Sequence, residues 1–140
     1  MGDTIDAVQV LSEQECWQRL SENTLGRLVV NAGGEIDVFP VNYVVSDGVL
    51  YLRTAPGTKL LELTIHPDVV FEIDHVDDRA AYSVVVKGPA EELQQQSEID
   101  TADALPLVPF LPTLKYRWVR IRPATLSGRA FQRGPEPDRY

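Results

Sequence analysis

The spacing of apolar residues changes from helical to alternating near the start of the chain, and that change sets out the opening elements. Ser12 followed by Glu15 has the form of a capping box, and Cys16, Leu20 and Trp17 place an apolar stripe on the short helix it would begin. That helix should end near Glu22 or Asn23. The pattern then turns to β: GRLVVN from Gly26 and EIDVFPVNYVV from Glu35 flank Ala32-Gly33-Gly34, as the two arms of a hairpin do. Ser46-Asp47-Gly48 marks a second hairpin, leading into VLYLRT from Val49 to Thr54. Next, GTKLLELTIH carries Leu60, Leu61, Leu63 and Ile65 at helical spacing until Pro67 ends it.

DVVFEIDHV and YSVVVKGPAEEL extend the sheet, the second strand being expected to end at Gly88-Pro89. A weak helix or irregular segment is expected from Ala90 to Asp103. Three prolines within ALPLVPFLPTL, from Ala104 to Leu114, exclude an ordinary helix or a central strand and predict an extended connector on the surface of the core. YRWVRIR and TLSGRAF alternate apolar with basic residues, as half-buried edge strands would. The tail QRGPEPDRY reads as frayed. Six or seven short strands and one well-signalled internal helix predict a mainly β protein, a small antiparallel barrel with peripheral helices.

Composition agrees with one globular domain: 140 residues, 44% hydrophobic and 24% charged, suffice for a real core and argue against disorder. The expected division is a domain over residues 1–132 and a flexible tail over 133–140. No basic start followed by an apolar run opens the chain, and no uncharged segment reaches the length of a membrane span, so a soluble cytoplasmic protein is expected. A single cysteine, Cys16, excludes an intrachain disulfide and supplies no metal-ligand spacing. The net charge of −8 disfavours nucleic acid as a partner. Seven of the thirteen Lys and Arg nevertheless lie in residues 113–140, as a solvated strand face or as an anion-contacting surface.

The candidate chemistry lies in RTAPGTKLLEL. A strand-end arginine, Arg53, and two threonines, Thr54 and Thr58, surround a helix start whose first turn also holds Lys59; unsatisfied backbone N–H groups there suit a phosphate. Spacing alone allows equally that the threonines cap a turn and that Arg53 and Lys59 are solvated. His66 and His75 have no ligand partners at metal spacing, Glu72 and Asp74 fall on the exposed side of their strand, and Cys16 reads as a small core residue.

In their order, LGRLVV, FPVNYVV, LYLRTAPGTKL, YSVVVKGPAEEL and LPLVPFLPTLKYRWVRIRPATLSGRAF resemble the pyridoxamine 5′-phosphate oxidase-like proteins, the flavin-binding split-barrel superfamily, over nearly the whole chain. The resemblance implies a split β-barrel whose FMN phosphate is held by Arg53, Thr54, Thr58 and Lys59, with the backbone of Val41, Asn42 and Tyr43 along the polar edge of the flavin ring. It implies a homodimer with the cofactor between subunits, the proline-rich connector and part of the Trp118 strand being buried by the pairing. Trp118 could then reach the partner's ring, or simply pack at the sheet or dimer interface. The chemistry implied is hydride transfer to or from a small organic substrate through flavin N5, for which no side chain need act as a strong acid or base; of residues that could place a proton donor over the ring, only Tyr43 and Tyr82 lie in suggestive strands. The deazaflavin F420 is the alternative cofactor, and a non-catalytic flavin or tetrapyrrole binder the alternative function. The ending SGRAFQRGPEPDRY contains no histidine and lacks the basic signature that binds pyridoxal phosphate in the namesake oxidases, which speaks against vitamin B6 oxidation.

Overall fold

The computed structural model describes residues 8–55, 57–108, 117–134 and 138, with the side chains of Thr58 and Lys59 outside that description. Its elements run β1 (Val8–Val10), α1 (Glu13–Ser21), β2 (Leu25–Ala32), β3 (Glu35–Ser46), β4 (Val49–Thr54), α2 (Thr58–Ile65), β5 (Asp68–Val76), β6 (Ala80–Glu92), α3 (Gln96–Asp103), β7 (Arg117–Ile121) and β8 (Thr125–Gln132). Local chemistry accounts for most boundaries. Ser12 accepts a hydrogen bond from the Glu15 amide at 3.1 Å while Glu15 accepts from the Ser12 amide at 2.9 Å, so the expected capping box starts α1. Hydrogen bonding by Ser12, from its backbone amide first and its side chain second, holds the Glu15 carboxyl below its ordinary range. Both hairpins turn through left-handed residues, Gly33 and Gly34 in the first and Asp47 and Gly48 in the second.

Six antiparallel strands close a ring in the order β2-β3-β4-β7-β6-β5 and back to β2. β8 adds to the outer part of β6, and β1 adds to β8. The fold is therefore mainly β, as expected, but the described residues hold eight strands rather than six or seven. The three-residue β1 has no signal of its own and exists because β8 offers it an edge.

β6 corrects a second expectation. It does not end at Gly88-Pro89 but runs to Glu92, exchanging its neighbour there: Lys87 pairs with Thr125 of β8, and Ala90 with Ile121 of β7. The link from β7 to β8 crosses this point, with the Ala124 amide donating to Lys87 O at 2.8 Å and the Arg122 amide to Pro89 O at 3.3 Å. A side chain at 88 would meet the carbonyl of Arg122, so glycine is required by closeness rather than by flexibility. β7 and β8 are not edges either, since each pairs on both sides. The basic residues of β7 meet acids: Arg117 pairs with Glu92 at 2.7 Å and Arg120 with Glu91 at 2.6 Å and also with Glu98. Arg117 and Arg120 are thus paired within the chain.

The barrel interior is filled by Leu28, Val30, Leu50, Leu52, Phe71, Ile73, Val84, Val86, Val119 and Ile121. α1 adds Cys16 and Leu20 to this core, and burial pushes the Cys16 thiol up. A second cluster lies outside the barrel wall, where Leu93, Ala102 and Trp118 are buried with Tyr51, Ile99, Leu105 and Leu107 against them. That cluster covers the outer face of β4 and β7, because Leu50, Leu52, Val119 and Ile121 alternate into the core and leave Tyr51 and Trp118 on the other side. Connector residues 109–114 lie outside the description, as do tail residues 135–137, 139 and 140. Arg133 donates its amide to Arg79 O at 2.7 Å and its guanidinium to Asp77 O at 3.0 Å.

Candidate functional site

Arg53 and Thr54 end β4 immediately before the turn into α2, so strand alternation gives them opposite directions. Thr54 points inward, is 6% exposed, and donates its hydroxyl to Ala55 O at 3.3 Å. Its hydroxyl is thus engaged locally, at the turn into α2. Arg53 points outward, directly opposite Trp118 of β7, with its guanidinium carbon 5.3 Å from the indole centroid. Its Nε is buried and finds no hydrogen-bond acceptor among the described residues. A buried N–H of a permanently charged group is costly to leave unsatisfied, so this atom marks a place where an anion would be stabilised.

The helix that follows has the complementary property. α2 begins at Thr58 with Gly57 as its N-cap, and no side chain caps it. α1, by contrast, closes its own N-terminus with Ser12 and Glu15. A phosphate beside Arg53 would therefore meet a helix start to which no capping side chain has been supplied. The sequence candidates Thr58 and Lys59 occupy the first two helical positions, and their side chains lie outside the described ones.

β3 passes by the same end of the barrel. Its ladder with β4 begins only at Tyr43↔Leu52, while Pro40, Val41 and Asn42 pair with β2 at Arg27, Gly26 and Leu25. The stretch ahead of Tyr43 thus lies outside the β3–β4 ladder, and Ile36 and Val38 on it are exposed. Side chains at 41 and 43 face the core: Val41 is 5% exposed and Tyr43 2%. Only their backbone can serve a ligand. The Tyr43 hydroxyl donates to Leu20 O at 2.6 Å, its ring stands edge-on to Phe71, and burial holds its pKa well above the usual phenol value. It is not a proton donor for a surface cleft. The Tyr82 hydroxyl accepts from the Asn23 amide at 2.8 Å with His75 stacked on its ring, so this second candidate is also engaged in the fold. Asn42 donates its side-chain amide to Thr24 O at 3.2 Å.

Trp118 is 2% exposed and donates Nε1–H to Asp103 Oδ1 at 2.7 Å, with Tyr51 edge-on to its ring. It packs within the chain beneath α3, as the packed-aromatic reading has it. Asp103 was not among the sequence candidates: it closes a weakly patterned helix and nothing local marks it. Glu72 and Asp74 pair with Arg27, His75 faces Asp77 at 3.2 Å, and the described residues contain no cluster able to hold a metal ion. No helix among them is long and apolar enough to cross a membrane.

Comparison with known proteins places these features in context. The sequence profile of the pyridoxamine 5′-phosphate oxidase family matches residues 12–130. A candidate pyridoxamine 5′-phosphate oxidase from Corynebacterium glutamicum is 46% identical, with 96% of this chain and all of that one covered at a TM-score of 0.88. The FAD-binding protein of Mycobacterium smegmatis is 35% identical over 89% of this chain and 98% of its own, at a TM-score of 0.77. An uncharacterized protein of Mycobacterium tuberculosis is 36% identical over 96 residues, which is 69% of this chain and 87% of that protein.

Proposed function

We propose, for a chain that belongs to the pyridoxamine 5′-phosphate oxidase family, that it binds a flavin nucleotide and acts as a flavin-dependent oxidoreductase on a small organic substrate. The observation that carries the reading is the buried Nε–H of Arg53 without a protein acceptor, beside a helix start without a capping side chain. These residues fit a phosphate. Arg53 would bind it by charge-assisted hydrogen bonds, with the amides of the first turn of α2 and the Lys59 ammonium completing the cradle. The backbone of Val41 to Tyr43, outside the β3–β4 ladder, would supply polar contacts to the ring edge. Bound there, an isoalloxazine supplies hydride chemistry at N5. With Tyr43 and Tyr82 both engaged in the fold, binding and orientation rather than acid–base catalysis are what this chain's residues contribute.

FMN is the smallest flavin that uses every part of this site. The similarity to the FAD-binding protein of M. smegmatis favours FAD as the second reading, since it carries the same ring, ribityl chain and phosphate. Added FMN should raise the melting temperature with the logarithm of its concentration, whereas riboflavin, which lacks the phosphate, should do much less. Equal shifts from the two would remove the phosphate site. Anaerobic bleaching of the yellow complex by NAD(P)H, or by reduced F420, then tests the oxidoreductase reading; a complex bleached by neither donor would point to a carrier or sensor.

One barrel of this size offers half a cleft, and the exposed Ile36 and Val38 stand beside the ring-edge stretch of β3. A second copy would cover them and complete the site. Light scattering at micromolar concentration should therefore give twice the 15.6 kDa chain mass. A monomer that retains bound flavin would exclude this assembly.

A further inference from the structure

The guanidinium of Arg53 is not simply near Trp118: the indole it stacks on is itself fixed from several sides. Leu93 and Ala102 are buried with the ring, Tyr51 stands edge-on at 6.4 Å, and Asp103 at the end of α3 accepts the indole N–H at 2.7 Å. The ring therefore cannot rotate away, and the face it turns to Arg53 is set in part by the end of α3. Donating its N–H to a carboxylate also enriches the indole in electron density, which strengthens its attraction for a cation. The contact is with the π-face of the indole, and the Arg53 Nε–H is left without an acceptor among the described residues.

We infer that Trp118 and Asp103 are positioning residues for the anion-binding arginine: α3, through the Asp103–Trp118 hydrogen bond, holds Arg53 in its ligand-ready orientation before any ligand arrives. The inference rests on the assignment of Arg53 to the flavin phosphate. It makes phosphate recognition depend on a side chain outside the cleft. An arginine on a flexible stem must be ordered when it binds, whereas one already clamped on a fixed ring has little freedom left to lose.

The test is calorimetric titration of FMN and of riboflavin into the wild type, Asp103→Ala, Asp103→Asn, Trp118→Phe, Arg53→Ala and the Asp103→Ala/Arg53→Ala pair. Asp103 is exposed, so its substitution tests the clamp without hollowing the core, whatever Trp118→Phe does to folding. Asp103→Ala should weaken FMN about three- to tenfold, the scale of a cation–π contact, while leaving riboflavin unchanged. Asp103→Asn keeps an acceptor and should restore most of the affinity. In the Arg53→Ala background the Asp103→Ala effect should vanish, because nothing remains to position. An unchanged ratio of FMN to riboflavin affinity in Asp103→Ala, with Arg53→Ala lowering it, would overturn the positioning role and leave the phosphate site standing. An unchanged ratio in Arg53→Ala itself would overturn both.

Discussion

Gly88→Ala is expected to destabilise the fold by roughly 2–3 kcal/mol, as overpacking against an unyielding neighbour does. The added methyl would run into the carbonyl of Arg122 and lie 2.9 Å from the Ala124 nitrogen, and both are backbone atoms. That backbone cannot step aside cheaply, because the Ala124 and Arg122 amides are the groups bonded to Lys87 and Pro89 at the partner exchange of β6. Relief would require β6 to lose contact with β7 or with β8. Gly134→Ala, whose methyl would meet nothing within 4 Å, is the control and should stay within about 0.5 kcal/mol. Urea unfolding at constant slope measures both. Equal midpoints for the two variants would mean that the β7–β8 link does not press on β6.

Arg53→Ala should weaken FMN binding by roughly tenfold or more, taking a hydrogen bond to a charged group as worth about 1.5–3 kcal/mol. Lys59→Ala should behave alike. The fold itself should notice the lysine change little, by less than about 0.5 kcal/mol, since alanine favours a helix and a cation in its first turn is slightly disfavoured. Arg133→Ala, whose guanidinium bonds to Asp77 O far from the β4–α2 turn in sequence, should leave affinity unchanged. If all three variants bind FMN equally well, the phosphate lies elsewhere on the barrel.

Much of the architecture was legible because it is written in local chemistry. Ser12 and Glu15 announce α1, Gly33-Gly34 and Asp47-Gly48 announce the hairpins, and each lies where the sequence places it. What failed is what depends on distant partners. Gly88-Pro89 reads locally as a strand end, yet it marks an exchange of neighbours decided by a link more than thirty residues later in the chain. The alternation of basic residues in β7 imitates an edge, because charge pairing with Glu91, Glu92 and Glu98 and exposure to water leave the same pattern in one strand. At the candidate site, the position of Arg53 ahead of a helix start could be read, but not that its Nε is buried without an acceptor among the described residues. Whether Trp118 met a ligand or a protein surface could not be decided, since the answer lay with α3, whose sequence has little apolar periodicity and no side-chain cap.

The register of β4 on β7 also bears on the order of folding events. The two hairpins from Leu25 to Thr54 and the β5–β6 pair join near neighbours, and such contacts form early at small entropic cost. The β4–β7 ladder joins Leu50 to Ile121 and Arg53 to Trp118, a loop on the order of seventy residues, and it belongs to the slow class of contacts. Arg53 and its indole platform meet only when that ladder zips. Collapsed chains that have both hairpins but not yet this closure would carry Arg53 unclamped. Competence to take up cofactor would then rise with the last kinetic phase of folding, making ligand capture a reporter of the closing step.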